Sequence, residues 1–311
     1  MFSLIGLTLA LSSNAFLVMG DMPYTPFDEV NLAPTGALGK KIKTTEHAFL
    51  IHVGDMKSGS EPCKNELLEK NKQLLTSLTT QPFIYTPGDN EWTDCDRKNL
   101  TPRYDELERL VFLKTLMFDD KYLEKANTLV DFQQQPSMRE NARWRFADVE
   151  FITLHIAGTH NGRREVLKSD KQFAYQQADT RDANNLNWLA QADPTAKGYV
   201  IAFQADIYTH QTAQPACSKT QPERCDGFKV YRDALAEFAN TVKKPVLVIH
   251  GDTGPYCQQP LSHNLTRLNV PGDFMYSDIA RVEIDKSKGS DEIKWQIGSL
   301  KTNKPIQRIC K

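Results

Sequence analysis

Residues 48–55 read AFLIHVGD, a short apolar run that stops at a Gly-Asp pair. The run is rich in β-forming residues and too short for a typical helix, so it predicts a buried strand that ends in a polar loop. Similar runs recur along the chain. The predicted strands cover residues 15–19, 48–53, 83–85, 149–155, 199–203 and 246–249.

Helix-like spacing of apolar residues fills much of the chain between these runs. The predicted helices cover residues 66–78, 104–118, 185–192 and 231–242. Alternating strands and helices predict an α/β domain with a largely parallel or mixed sheet. Two alternating strands near the end of the chain, 278–285 and 292–297, predict a C-terminal β-hairpin. Since no repeat or flexible linker interrupts the pattern, we expect a single domain over residues 16–311.

The composition is that of a soluble globular protein. The chain has 311 residues, 40% of them hydrophobic, and 38 Lys and Arg residues against 39 Asp and Glu residues. A formal net charge of -1 argues against nucleic acid as the main partner, because phosphate binding normally leaves a basic surplus.

The N-terminus has the pattern of an export signal. An apolar run at residues 2–11 gives way to small and polar residues before the first charged residue, Asp21. This predicts a signal peptide over residues 1–15 and a secreted or periplasmic protein. Because no Lys or Arg precedes the run, a membrane anchor or an apolar leader to the first strand are the alternatives. No later stretch is long and apolar enough to predict a membrane span in the mature chain.

Six cysteines without a CxxC pair favour disulfides over a zinc site. Disulfides also agree with export. Cys217 and Cys225 lie close together in a polar stretch, so we predict that they pair across a surface loop.

Gly-Asp pairs end four of the six predicted strands. A single Gly-Asp pair is ordinary turn chemistry. Function in open α/β sheets gathers at the carboxyl ends of strands, and four carboxylates meeting there repel one another unless a cation lies between them. The pattern therefore indicates a site for a polyvalent metal ion. The pairs are Gly20-Asp21, Gly54-Asp55, Gly88-Asp89 and Gly251-Asp252.

In order and placement these motifs resemble those of the calcineurin-like metallophosphoesterases, which carry D-x-H, G-D, G-N-H-[DE], a strand-end His and G-H-x-H. The corresponding segments here read DMP, GD, GDNE, QAD and GDTG, and NLNWL at residues 185–189 resembles a helix of the same family. The resemblance covers residues 21–256. It implies a two-sheet α/β sandwich with two divalent metal ions, in which a metal-bound hydroxide hydrolyses phosphate mono- or diesters.

The resemblance also assigns the metal ligands. Asp21 takes a first-metal position and Asp55 the bridging position. All the donors that stand at ligand positions here are hard oxygens, which favours Mg, Mn or Ca over Zn. The expected ligands are Asp21, Asp55, Asp89, Gln204 and Asp252.

Several positions depart from the family pattern. Pro23, Gln204 and Gly254 stand where the family has imidazole ligands, and Asn90 stands where many relatives have the acid that protonates the leaving group. An amide cannot serve as a general acid near neutral pH. The candidate catalytic residues are Asn90, Glu91 and His250; Asp206, His210, His155 and His160 are further replacements, and Lys57, Arg143, Arg163 and Arg164 are candidate phosphate-binding cations.

The interpretation we favour is an exported phosphoesterase with a phosphoester substrate. The alternative is a secreted, non-catalytic binding protein on the same scaffold with a degenerate metal site. Alignment with the metal loops further predicts a Cys63–Cys95 disulfide, which leaves Cys257 to pair with Cys310.

Overall fold

The computed structural model describes residues 14–209, 211–275, 277–286 and 292–310. Strands within these residues form two sheets, one with five strands and one with seven. All six strands predicted from apolar runs are present, with small shifts of their ends. The strands are β1 (Ala15–Met19), β2 (Leu50–His52), β3 (Phe83–Tyr85), β4 (Val130–Gln135), β5 (Met138–Phe146), β6 (Val149–Thr153), β7 (Gly198–Ala202), β8 (Val246–His250), β9 (Cys257–Pro260), β10 (Leu265–Asn269), β11 (Ala280–Lys286) and β12 (Ile293–Ser299).

Both sheets have a parallel centre. The first runs in the order β12-β11-β1-β2-β3 and the second in the order β4-β5-β6-β7-β8-β10-β9. Strands β1, β2 and β3 are parallel to one another, as are β6, β7, β8 and β10. Parallel strands end at the same edge of a sheet, so the loops after β1, β2 and β3, and those after β7 and β8, gather at common edges.

Aromatic side chains join the two sheets. Phe16 of β1 lies 5.1 Å from Phe151 of β6 in an edge-on contact, and the neighbouring Phe49 lies 5.0 Å from the same ring. A second apolar cluster, which includes Ile201 and Leu235, packs β7 against a helix. Burial on both faces explains why the central strands are almost continuously apolar, and it confirms the predicted two-sheet α/β sandwich.

The helices confirm most of the predicted segments. The helix predicted over residues 185–192 is much longer, because Asp170 caps its N-terminus by accepting a hydrogen bond from the Phe173 N–H at 2.7 Å. The apolar pattern does not extend towards its N-terminus because polar side chains, Arg181 and Asp182, occupy buried positions in the middle of the helix. The helices are Pro26–Leu32, Ala37–Thr44, Asn65–Thr76, Glu106–Met117, Asp120–Ala126, Lys171–Ala190 and Lys229–Val242, with 3-10 turns at Thr93–Asp96 and Asp273–Met275.

Antiparallel hairpins complete the sheets. The predicted C-terminal hairpin is confirmed as β11 and β12, and it extends the first sheet because β11 pairs with β1. The hairpin of β4 and β5 was not predicted. Strand β5 buries the charged residues Glu140 and Arg143, which pair with His155 and Glu150 of neighbouring segments, so its sequence does not look like that of a buried strand.

The three disulfides follow the predicted pairing. Cys63 pairs with Cys95, Cys217 with Cys225 and Cys257 with Cys310, which is consistent with an extracellular protein. Residues 1–13 of the predicted signal peptide lie outside the described residues, and β1 begins at Ala15. In the part of the chain that the structure describes, no helix is long and apolar enough to cross a membrane.

Candidate metal centre

The ends of four strands bring four aspartates together. Asp21, Asp55, Asp89 and Asp252 follow β1, β2, β3 and β8, respectively. Carboxylate oxygens of Asp55, Asp89 and Asp252 all lie within 4.8 Å of one another. Asp21 joins them from the side, since its Oδ1 accepts a hydrogen bond from the Asp252 N–H at 3.0 Å. We call these four residues the aspartate cluster.

The backbone is strained where it presents these side chains. Asp21, Asp55 and Asp252 have φ angles of 53°, 58° and 76°, in the left-handed region that residues with a side chain rarely occupy. Such strain persists only where the surroundings impose it, and it is concentrated at functional sites. The strand ends also approach one another closely, because a Cβ at Gly88 would lie 2.0 Å from Asp55 Oδ1.

The cluster is electrostatically unfavourable without an opposite charge. Burial, and after it the charge of Asp89, raises the pKa of Asp55 well above its ordinary value. Burial also raises the pKa of Asp21 to about 8, with the charges of Asp273 and Asp89 adding to the effect. The pKa of Asp252 is raised for the same reasons. A bound cation would remove this conflict.

The donor set fits a divalent cation. Three carboxylates can each give one oxygen to a common centre, and Asp21 lies beside them. The grouped residues include no imidazole or thiolate ligand, and Pro23 and Gly254 have no side-chain donor atom. The cluster therefore offers oxygen ligands, the type that hard cations prefer.

Gln204 lies among the carboxylates but presents its nitrogen to them. Its Nε2 donates to Asp55 Oδ2 and to Asp89 Oδ1, each at 3.0 Å. Its Oε1 accepts a hydrogen bond from the Gly158 N–H at 2.6 Å. In this arrangement the amide oxygen, which would be the metal donor, faces Gly158.

Asn90 borders the cluster through both its backbone and its side chain. Its N–H donates to Asp55 Oδ1 at 3.1 Å, and its Nδ2 donates to the Tyr24 hydroxyl at 2.7 Å. The Tyr24 hydroxyl in turn donates to Asp55 Oδ2 at 3.0 Å. The sequence motifs predict no role for Tyr24, although its position three residues after Asp21 could have indicated that it lies at the site.

Glu91 and His250 are buried next to the cluster and are held by other groups. Glu91 Oε1 accepts hydrogen bonds from the Met56 N–H at 2.8 Å and from the Tyr85 hydroxyl at 2.6 Å. The Nδ1 of His250 lies 3.1 Å from the carbonyl oxygen of Gly251, and burial lowers the pKa of the ring. Catalytic roles for both residues stay predictions.

Of the remaining candidate replacements, those that the structure describes are not among the grouped carboxylates. His155 contacts Glu140 at 3.1 Å, and Asp206 accepts a hydrogen bond from the Thr253 hydroxyl at 3.0 Å. His160 lines a separate cavity. His210 lies outside the described residues.

Three of the four cations proposed from sequence have structural partners. Lys57 is fully buried and donates to the Ser58 carbonyl at 2.8 Å. Arg143 stacks on the Trp188 ring at 3.7 Å, and Arg163 forms an ion pair with Asp182 at 2.6 Å. Arg164 is exposed and lines the same cavity as His160.

Comparison with known proteins supports the fold. No family model matches the chain, and no curated protein sequence matches it. Among solved structures, a dimetal phosphatase from Danio rerio matches 92% of this chain and 95% of its own, with a TM-score of 0.56 and 8% identity. A 5'-nucleotidase from Candida albicans matches 93% of this chain, with a TM-score of 0.44 and 10% identity, and this chain spans 51% of its length. The likeness to the dimetal phosphatase confirms the predicted fold, a two-sheet α/β sandwich of the metallophosphoesterase type.

Proposed function

We propose that the protein is an exported, metal-dependent phosphoesterase that hydrolyses phosphate mono- or diesters. The observation that carries this proposal is the convergence of Asp55, Asp89 and Asp252 from three strand ends within 4.8 Å. A divalent cation bound there would polarise a phosphoryl group and make a water-derived nucleophile available at neutral pH. Asp21, Asp55, Asp89 and Asp252 would hold the two ions that we expect, with Asp55 shared between them.

We expect Mg, Mn or Ca to be the active ion. Carboxylate oxygens suit these hard cations, whereas Zn favours sites with nitrogen and sulfur ligands. Four carboxylates also balance the charge of two divalent ions.

Arg97 is the cation best placed to hold a phosphoryl oxygen. Its Nη2 pairs with Asp94 at 2.6 Å and its Nε with Glu165 at 2.9 Å, so its guanidinium is held in one orientation. A Cβ at Gly59 would lie 2.5 Å from Arg97 Nη1 and 2.6 Å from Asn90 Oδ1. The absence of a side chain at Gly59 therefore leaves room for the guanidinium beside Asn90, which borders the aspartate cluster. A planar guanidinium matches the geometry of phosphate oxygens.

Turnover should depend on added metal. Protein stripped of metal should hydrolyse aryl phosphate mono- or diesters only after Mg, Mn or Ca is added, because the aspartate cluster by itself repels an anionic substrate. Release of the aryl alcohol with each ion added singly measures this. If none of these ions nor Zn restores hydrolysis of either ester class, the proposed activity is wrong.

Replacing Arg97 should weaken substrate turnover without unfolding the protein. Charge-assisted hydrogen bonds contribute about 1.5 to 3 kcal/mol, so Arg97→Ala should lower kcat/KM by roughly one to two orders of magnitude. The kcat/KM of Arg97→Lys should lie between those of Arg97→Ala and the unaltered protein, since lysine keeps the charge and loses the planar guanidinium.

The matched control is Arg145→Ala. Arg145 also forms an ion pair, with Asp193 at 3.2 Å, but it lies in β5, away from the aspartate cluster. The kcat/KM of Arg145→Ala should equal that of the unaltered protein. If the kcat/KM of Arg97→Ala is within twofold of that of the Arg145→Ala control, Arg97 does not hold the phosphoryl group.

The amide of Gln204 favours a second candidate function, a non-catalytic binding protein. Its Nε2 donates to both Asp55 and Asp89 and thereby satisfies part of the negative charge without a metal. Missing imidazole ligands at Pro23 and Gly254 point in the same direction. The metal-dependence assay separates the two candidates, because a binding protein would show no turnover with any ion.

A further inference from the structure

A cavity of about 320 Å³, whose lining includes none of the four cluster aspartates, lies beside the short turn Gly158–Gly162. Its walls include His160 from this turn, Arg163 and Arg164 directly after it, and Arg224 from the segment closed by the Cys217–Cys225 disulfide. The volume is at the small end of ligand-binding cavities, which span about 300 to 1,000 Å³. It suits a small ligand or one group of a larger ligand.

The cavity carries positive charge that the surrounding side chains do not balance. Arg164 and Arg224 are exposed, and in the described part of the chain neither makes an ion pair or a side-chain hydrogen bond. Of the acidic residues on the walls, Glu165 pairs with Arg97, and Glu223 pairs with Lys171, which itself lines the cavity. Two arginines without an ion-pair partner among the described residues thus line one small cavity in a protein whose net charge is only -1.

Arg163 gives a second sign of a missing partner. Its side chain is almost fully buried, and its Nη2 pairs with Asp179 and Asp182 at 2.7 and 2.6 Å. Its Nε and Nη1, however, are buried and have no hydrogen-bond partner among the described residues. Buried donors without partners are rare in native proteins and often mark the position of an unseen ion or water.

The turn that forms one wall has an unusual backbone. Thr159, His160 and Asn161 have φ angles of 54°, 54° and 56°, all in the left-handed region. Strain of this kind is concentrated at functional sites. The turn places the His160 ring so that Nδ1 accepts a hydrogen bond from the Gly227 N–H at 3.0 Å. The ring proton must then lie on Nε2, which makes Nε2 a hydrogen-bond donor.

We propose that this cavity binds a phosphate group, separately from the aspartate cluster. Arg164 and Arg224 would contact its oxygens through their guanidinium groups, the geometry that arginine uses for phosphate. His160 and Arg163 line the same cavity and carry neutral and charged N–H donors. The site does not require hydrolytic activity, so it stands whether or not the aspartate cluster is catalytic.

Titration of metal-stripped protein with inorganic phosphate tests the proposal. Without metal the aspartate cluster repels phosphate, so calorimetric binding reports on the cavity. We expect one phosphate per chain, with affinity that falls as salt is added. The double variant Arg164→Ala/Arg224→Ala should bind at least about tenfold more weakly, and Arg164→Lys should show a smaller loss, because it keeps the charge but not the planar fork.

The matched control is Lys43→Ala/Arg139→Ala, which removes two exposed positive charges elsewhere on the surface. This control should bind phosphate as the unaltered protein does, and circular dichroism should show that both double variants are folded. Absence of saturable binding to the unaltered protein would overturn the proposal. An equal loss in the control would overturn it too, since general electrostatic attraction would then explain the binding.

Discussion

Asp55→Asn is expected to lower the kcat of metal-dependent turnover by on the order of a hundredfold to a thousandfold, the range seen when one electrostatic contact to a reacting group is removed. Asp55 accepts hydrogen bonds from Tyr24, Asn90 and Gln204. Its carboxylate also lies close to those of Asp89 and Asp252. In the proposed centre it would be shared between both ions, whereas the other aspartates serve one. The loss of kcat from Asp55→Asn should therefore exceed the loss from substitution of any other single aspartate.

Thermal unfolding supplies a readout that is independent of turnover. A ligand that binds only the folded state raises Tm by an amount that grows with the logarithm of its concentration. Millimolar Mn, Mg or Ca should thus raise the Tm of the stripped protein and leave that of Asp55→Asn unchanged.

The matched control for this substitution is Asp131→Asn. Asp131 is also an aspartate with a left-handed backbone, at φ 56°, but it is exposed in β4. It should keep full activity and the full metal-induced rise in Tm. A loss from Asp131→Asn, or from His263→Ala outside every motif, that equals the loss from Asp55→Asn would refute the assignment.

Removing the Cys63–Cys95 disulfide should strongly lower the stability of the protein. The bond closes a segment with a sequence separation of 32 residues, and loop-closure entropy gives it a stabilisation of about 3 to 4 kcal/mol. It also ties the chain after Asp55 to the turn after Asp89, so Cys63→Ala/Cys95→Ala should weaken Mn binding as well as lower the free energy of unfolding.

The Cys217–Cys225 bond is the control for this prediction. Its sequence separation is 8 residues, so Cys217→Ala/Cys225→Ala should cost less, about 2 to 3 kcal/mol, and should leave Mn affinity unchanged. Denaturant unfolding and Mn titration of both double variants measure these differences. If Cys217→Ala/Cys225→Ala loses more Mn affinity than Cys63→Ala/Cys95→Ala, the Cys63–Cys95 bond does not support the metal centre.

The fold was largely predictable because its central strands are buried on both faces. Runs such as residues 15–19 and 246–249 are apolar throughout and end in Gly-Asp, so both their position and their polar ends could be predicted. The hairpin of β4 and β5 could not, because Glu140 and Arg143 are buried against partners that lie outside β5, His155 and Glu150. Periodicity in one segment carries no information about such partners.

The site was predictable in its carboxylates and less so in its surroundings. The strand-end positions of Asp55 and Asp89 are a local property of the sequence. The orientation of the Gln204 amide depends on the Gly158 N–H, which comes from another loop. The place of Arg97 beside Asn90 likewise depends on the lack of a side chain at Gly59. Neither contact leaves a mark on the sequence around the residue it affects.

Anomalous diffraction from crystals of metal-stripped protein soaked in Mn would show directly whether the aspartate cluster binds a metal ion. We expect an anomalous peak within about 2.0 to 2.6 Å of a carboxylate oxygen from each of Asp55, Asp89 and Asp252, the range of bonds from hard cations to oxygen. A map at saturating Mn with no peak among these three carboxylates would contradict it.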